Sequence, residues 1–196
     1  MGRATLEQVF ALKGHARSLT SASFSPDGKQ ILTTSDDGTA RIWNIGTSIL
    51  PLVVTASSKA IQCGAISNDG RKLAVGTSDG SVVVYDVSPA GKLAPGPAFR
   101  AGPGAVTSVS FGQDSASLIV ATAAGRITSW HTDSESAEPI AELPPGDSYA
   151  ASSPDGSLVA IASGLDATQY SDKVMNFREH TSAALAEASR MTGVGV

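Results

Sequence analysis

Short stretches of apolar residues, separated by turn signals, recur along the chain. In the first unit, residues 19–25 alternate as a half-buried strand does, and two more short apolar stretches follow at 31–34 and 40–45. A fourth stretch, 48–55, is rich in Ile, Leu and Val but contains Pro51, which favours an outer strand. We therefore predict a unit of four antiparallel strands.

One four-residue turn lies between the first two strands of each unit. Its first copy, Ser25-Pro26-Asp27-Gly28, fits a type I turn, with Pro at the second position and Gly at the end. Related turns start at positions 67, 112 and 153, at intervals of 42, 45 and 41 residues. An aromatic residue lies 18 positions after the first three turns start: Trp43, Tyr85 and Trp130. A period of this length is typical of propellers and solenoids.

The later units repeat the same succession of stretches. They fall at 60–66, 73–76, 81–87 and 93–101, then at 106–111, 118–121, 126–130 and 140–143, and finally at 158–162. Residues 6–12 resemble the outer strand of a preceding unit. We predict a repeat domain over 1–165, divided into 6–47, 48–90, 91–135 and 136–165.

The tail, 166–196, departs from the repeat, and position 171 is Ser where an aromatic residue was due. Apolar or small residues recur there at helical spacing, which predicts a short amphipathic helix over 173–191. Its seam consists mostly of Ala and Thr, so the competing interpretation is a frayed helix that buries little area. The seam residues are Val174, Phe177, Thr181, Ala184, Ala188 and Met191.

Composition narrows the function classes. Of 196 residues, 41% are apolar and 16% charged, with 20 Gly and 10 Pro, which suits a turn-rich β protein. The net charge is −4 without a cluster of Lys or Arg, so no nucleic-acid partner is expected. The single Cys63 allows no intrachain disulfide and no metal cluster, and no cofactor is expected. No apolar run suggests a membrane span. We expect an intracellular protein of the cytoplasm, with the nucleus as the alternative.

The first unit resembles the WD40 repeat family. It carries Gly14-His15, the turn at 25–28, the hairpin Ser35-Asp36-Asp37-Gly38-Thr39, and Trp43-Asn44 where the family has Trp-Asp. The resemblance implies an all-β, WD40-type β-propeller, with about three full blades plus partial blades in an incomplete ring. It also implies a hydrogen-bonded structural tetrad, which maps residue by residue onto His15, Ser35, Asp37 and Trp43.

The other units match the family less well. The second keeps Asp79 and Tyr85-Asp86 but has no Gly-His before it. The third has Ala124 where the Asp of the tetrad is due.

No group of residues predicts catalysis. His15 could be a general base or a metal ligand, but its spacing to Asp37 and Trp43 favours the structural tetrad. Asp36 and Asp37 are neighbours in a hairpin, so their carboxylates are expected to point apart. The chain has no Gly-x-Ser-x-Gly elbow and no glycine loop that starts a helix. We therefore predict that the protein is not an enzyme.

Binding of other proteins is the predicted function. The resemblance implies a non-catalytic interaction scaffold that holds partners on the face carrying the loop before each first strand and the second hairpin of each blade. The candidate residues there are Arg17, Asp36, Lys59, Ser78 and Arg126, with ordinary solvated loops as the competing interpretation. The alternative is a structural or regulatory subunit whose propeller is completed by another chain. Closure of a small ring by residues 6–12 is also open.

Overall fold

Strands and turns make up the described part of the chain. The computed structural model describes residues 11–45, 51–55, 59–88, 91–133, 136–143, 147–152, 158–164 and 173–176, and within them there is no helix. The strands are β1 (Leu19–Phe24), β2 (Gln30–Ser35), β3 (Thr39–Asn44), β4 (Leu52–Thr55), β5 (Ile61–Ile66), β6 (Lys72–Thr77), β7 (Ser81–Val87), β8 (Leu93–Arg100), β9 (Val106–Phe111), β10 (Ser117–Thr122), β11 (Arg126–His131), β12 (Ala137–Glu142), β13 (Asp147–Ser152), β14 (Leu158–Gly164) and β15 (Lys173–Asn176).

These strands form four antiparallel sheets in chain order. Sheet 1 is β1–β4, sheet 2 is β5–β8, sheet 3 is β9–β12, and sheet 4 is the three strands β13–β15. Within each sheet, every strand pairs antiparallel with the strand that follows it along the chain. The predicted all-β fold with four-stranded blades is confirmed.

The core lies between the sheets. Sheet 1 packs on sheet 2, sheet 2 on sheet 3, and sheet 3 on sheet 4, mainly through the first strand of the later sheet. Alternating side chains of each strand thus enter two different interfaces, since successive residues point to opposite faces. Fully buried members include Leu32 and Leu73 between sheets 1 and 2, Val106 and Leu118 between sheets 2 and 3, and Ile127 and Val159 between sheets 3 and 4.

The first strands of sheets 1 to 3 carry the same irregularity. The pairing shifts by one residue between Leu19 and Ser21, between Ile61 and Cys63, and opposite Val106. Such a bulge increases local twist and turns the end of a strand. Its recurrence at equivalent positions shows that the three sheets are built alike in detail.

The tail prediction is wrong where it can be compared. Residues 173–176, predicted to begin a helix, form β15 and pair antiparallel with β14. Pairing there satisfies backbone N–H and C=O groups that β14 would otherwise present at a sheet edge, and this outweighs the helical spacing of a weakly apolar sequence. The remainder of the predicted helix, 177–191, lies outside the described residues. So do residues 6–10 of the predicted opening strand, while Ala11 and Leu12 belong to no strand.

Candidate functional site: the loop face

One end of the sheets carries all the predicted partner-binding residues. There the hairpins β2–β3, β6–β7 and β10–β11 lie beside the segments that precede β1, β5 and β9. We call this surface the loop face and define it as residues 11–18, 36–38, 59–60, 78–80, 101–105 and 123–126.

The same backbone hydrogen bond ties hairpin to preceding segment in each sheet. Asp36 N donates to Ser18 O at 3.1 Å, Ser78 N to Ala60 O at 3.0 Å, and Ala123 N to Ala105 O at 2.9 Å. Equivalent loops are therefore held in equivalent positions, which makes the loop face a repeated surface rather than a set of independent loops.

The structure brings the five predicted residues onto this face. Arg17, Lys59, Ser78 and Arg126 are exposed, and Asp36 is half-buried. Arg126 Nη2 donates to Glu142 Oε1 at 3.5 Å, a contact at the solvated edge.

Gly80 shows how closely the segments of the loop face pack. Its φ is 88°, in the left-handed region that favours glycine, and its carbonyl accepts a hydrogen bond from Ala101 N at 2.9 Å. A Cβ at this position would lie 2.4 Å from Gly102 O and 2.7 Å from Gly104 O. The hairpin of sheet 2 thus fits directly against the segment that leads into sheet 3.

In sheet 1 a buried hydrogen-bond network lies under the loop face. His15 Nδ1 is 3.0 Å from Asp37 Oδ2, and His15 Nε2 is 2.8 Å from Thr33 Oγ1. Trp43 Nε1 donates to the same Thr33 oxygen at 2.9 Å. With Asp37 ionised, the neutral imidazole carries its proton on Nδ1 and donates it to the carboxylate, which leaves Nε2 to accept from Thr33. Every polar atom of this chain of contacts then has a partner.

Three of the four predicted tetrad residues belong to this network, and Ser35 does not. The hydroxyl between His15 and Trp43 is that of Thr33, so the assignment of Ser35 is wrong. Ser35 is fully buried, and its hydroxyl donates to Arg17 O at 3.3 Å and accepts from Asp37 N at 3.1 Å. Both residues point to the same face of β2, because they are two positions apart, so strand periodicity could not separate them.

The carboxylate of Asp37 is held ionised. Burial opposes its charge, but hydrogen bonds from the Thr39 hydroxyl, the Ala16 amide and His15 outweigh this and hold the pKa of Asp37 well below its usual range. In sheet 2, Asp79 accepts from the Thr77 hydroxyl at 2.6 Å, and that bond is the largest reason why the pKa of Asp79 is lowered.

The other sheets lack the complete network among the described residues. In sheet 2, Val75 occupies the position of Thr33 and Tyr85 that of Trp43. In sheet 3, Trp130 Nε1 donates to Thr128 Oγ1 of its own strand at 2.8 Å. The His15, Thr33 and Trp43 contacts of sheet 1 thus join hairpin, preceding loop and strand through side chains.

A separate cavity of about 380 Å³ is bordered by the first strands of the sheets. Thr20, Gln62, Ser108 and Tyr149 are among its lining residues, as is Cys63. The Cys63 thiol is buried, and this burial raises its pKa to about 12. A thiol with such a pKa is a poor nucleophile, so the cavity contains no activated group of this kind.

The described residues offer no metal site and no membrane-crossing helix. No group of three or more His, Cys, Asp or Glu side chains is placed to hold a metal ion in this part of the chain. Among the same residues, no helix is long and apolar enough to cross a bilayer.

Comparison with known proteins identifies the repeat. The model of the WD domain, G-beta repeat (WD40), matches residues 6–44 and 50–86. SIR4-interacting protein SIF2 of Saccharomyces cerevisiae is 39% identical over 74 residues, which are 38% of this chain and 14% of that protein. WD repeat and SOCS box-containing protein 1 of Xenopus tropicalis is 42% identical over 77 residues, 39% of this chain and 18% of that protein. The human protein of the same name is 40% identical over the same length.

These matches cover the part of the chain that carries the His15 network. The chain spans only 14 to 18% of the length of these relatives. Sheets 3 and 4 lie beyond the matched segments, but they continue the strand order and packing of sheets 1 and 2. The resemblance of the first unit is confirmed: residues 6–44 and 50–86 match the WD40 repeat, and each described sheet keeps an antiparallel strand order of the kind found in its blades.

Proposed function

We propose that the chain is a non-catalytic scaffold that binds a protein partner on its loop face. WD40 repeats support an interaction role, and the named relatives include a SIR4-interacting protein and SOCS box-containing proteins. The observation that carries the proposal is the repeated tie between hairpin and preceding segment, which presents exposed side chains of three sheets on one surface. An intracellular site of action, predicted from the sequence, is part of this proposal.

Charge on the loop face indicates the kind of partner. The carboxylates of Asp37 and Asp79 are engaged in hydrogen bonds within their own sheets. Four exposed cations lie on this face, Lys13, Arg17, Lys59 and Arg126, against the half-buried carboxylate of Asp36. Opposite charge across an interface steers association and fixes register. The partner segment we propose is therefore acidic on balance.

Affinity capture with matched variants tests this proposal. The triple variant Arg17→Ser, Lys59→Ser, Arg126→Ser removes three of the four exposed cations of the loop face. The control Lys29→Ser, Arg71→Ser, Lys92→Ser removes three exposed cations at the opposite end of the sheets. We expect the wild type and the control to retain the same proteins from a cell extract, and the loop-face variant to lose them. Equal retention by both variants would contradict the proposal.

A second candidate function is that of a subunit whose propeller is completed by another chain. One observation favours it: the outward face of sheet 1 exposes Leu19 and Phe24 by 58% and 68%. Large apolar groups exposed on one face of a sheet mark an interaction surface.

A further inference from the structure

The two ends of the array of sheets expose positions that are buried elsewhere in the chain. On the outward side of sheet 1, Leu19, Phe24 and Ile31 form what we call the leading face. Phe24 pairs with Ile31 across β1 and β2, so the two side chains lie side by side. Leu19 is at the other end of β1, on the same side of the sheet.

Sheets 2 and 3 show what normally covers these positions. The counterparts of Leu19 are Ile61 and Val106, both 0% exposed, and those of Phe24 are Ile66 and Phe111, 7% and 6% exposed. Ile31 is half-buried, whereas its counterparts Leu73 and Leu118 are fully buried. In both sheets the preceding sheet provides the cover. The leading face therefore has the apolar composition of a surface that packs on another sheet, but no sheet of the described residues covers it.

Sheet 4 shows the matching surface at the other end. Ala151 and Ala160 pair across β13 and β14 and are exposed; we call this pair the trailing face. The counterparts of Ala160 in sheets 1 to 3 are Leu32, Ala74 and Ile119, exposed by 1%, 0% and 1% because the following sheet covers them. Between neighbouring sheets of the chain, the side of a sheet that corresponds to the trailing face packs on the side of the next sheet that corresponds to the leading face.

We propose that the leading face docks the trailing face of a second copy of this chain, head to tail. This inference rests on the second candidate function and names its surface and its partner. Within the chain, the same two kinds of face already meet where sheets 1 and 2, sheets 2 and 3, and sheets 3 and 4 pack together. A head-to-tail contact closes into a ring when its rotation allows. Two identical contacts then bury both leading faces and both trailing faces.

The native mass of the purified chain is the primary test. We expect light scattering after size exclusion to give twice the chain mass of 19.8 kDa over a wide range of concentration. The variant Leu19→Asp, Phe24→Asp should fall to the mass of one copy. Val53→Asp is the matched control. Val53 lies on the outer strand β4, and its counterparts Ala98 and Pro139 are exposed even though another sheet packs on that side of sheets 2 and 3. Circular dichroism should show unchanged strand content in each variant.

A mixing experiment tests the head-to-tail arrangement. Ala160→Asp alone should also give one copy, and mixing it with the Leu19→Asp, Phe24→Asp variant should restore pairs through the one intact contact. A wild-type monomer would overturn the inference, as would a mass that grows without limit. If Ala160→Asp still pairs like the wild type, the contact joins two leading faces and the head-to-tail proposal is wrong. None of these results depends on a partner bound at the loop face, so they test the pairing of two copies independently of the scaffold proposal.

Discussion

Thr33 Oγ1 accepts a hydrogen bond from Trp43 Nε1 at 2.9 Å and lies 2.8 Å from His15 Nε2. One hydroxyl thus connects the third strand of sheet 1 to the loop that precedes the first. Because the indole N–H can only donate and His15 Nε2 accepts, Thr33 is the residue that satisfies both. It fixes the position of His15 and, through Asp37, that of the hairpin on the loop face.

Replacement of Thr33 should therefore destabilise sheet 1. Thr33→Val keeps the shape but leaves the Trp43 N–H and His15 Nε2 without a partner, and we expect the free energy of unfolding to fall by about 1–3 kcal/mol. Thr33→Ser retains the hydroxyl and should lose clearly less. Urea unfolding followed by tryptophan fluorescence measures the difference. A Thr33→Val variant as stable as the wild type would show that the network does not stabilise sheet 1.

Asp37 should make the fold sensitive to acid. Its folded pKa is depressed, so its contribution to stability is present above the unfolded pKa, about 3.9, and is lost as the pH falls toward the folded value. We expect the wild type to lose stability below about pH 4 and Asp37→Asn to be less stable at neutral pH with a shallower acid dependence. Thermal unfolding across this pH range measures both slopes. Parallel slopes would contradict the role of Asp37.

Gly80 should tolerate no side chain. A positive φ costs a residue with a Cβ about 1–2 kcal/mol, and at Gly80 the added atom also overlaps the carbonyl of Gly102. Gly70 has a φ of 70° but open space where a Cβ would lie, so Gly70→Ala carries the conformational cost alone. We expect Gly80→Ala to lower the unfolding temperature more than Gly70→Ala. The same shift in both would mean that the hairpin and the segment at 102–104 are not packed together.

Cys63 should react slowly in the folded protein. Burial raises the pKa of its thiol to about 12, which lowers the thiolate fraction at neutral pH roughly a thousandfold relative to an exposed thiol. We expect a disulfide reagent to label the native chain at least on the order of a hundredfold more slowly than the chain in urea. Comparable rates would show that the strands around the cavity open readily.

The sequence was sufficient for the sheets and not for the contacts between their side chains. The apolar pattern and the turn sequences were sufficient to locate the strands of sheets 1 to 3, because each strand buries the side chains that face a neighbouring sheet. The same alternation puts Thr33 and Ser35 on one side of β2, and only the three-dimensional reach of His15 selects Thr33. Residues 173–176 show a second limit of the sequence. The apolar spacing of the tail predicted a helix there, but pairing with β14, which this spacing does not reveal, makes the segment a strand.

The scaffold proposal depends on which end of the sheets meets a partner, and site-specific photo-crosslinking tests this directly. A photoreactive residue is placed either at Ser78, exposed on the loop face, or at Gln113, exposed in the turn at the opposite end. We predict protein adducts from position 78 in cells and few or none from position 113. Adducts from position 113 alone would contradict the scaffold proposal.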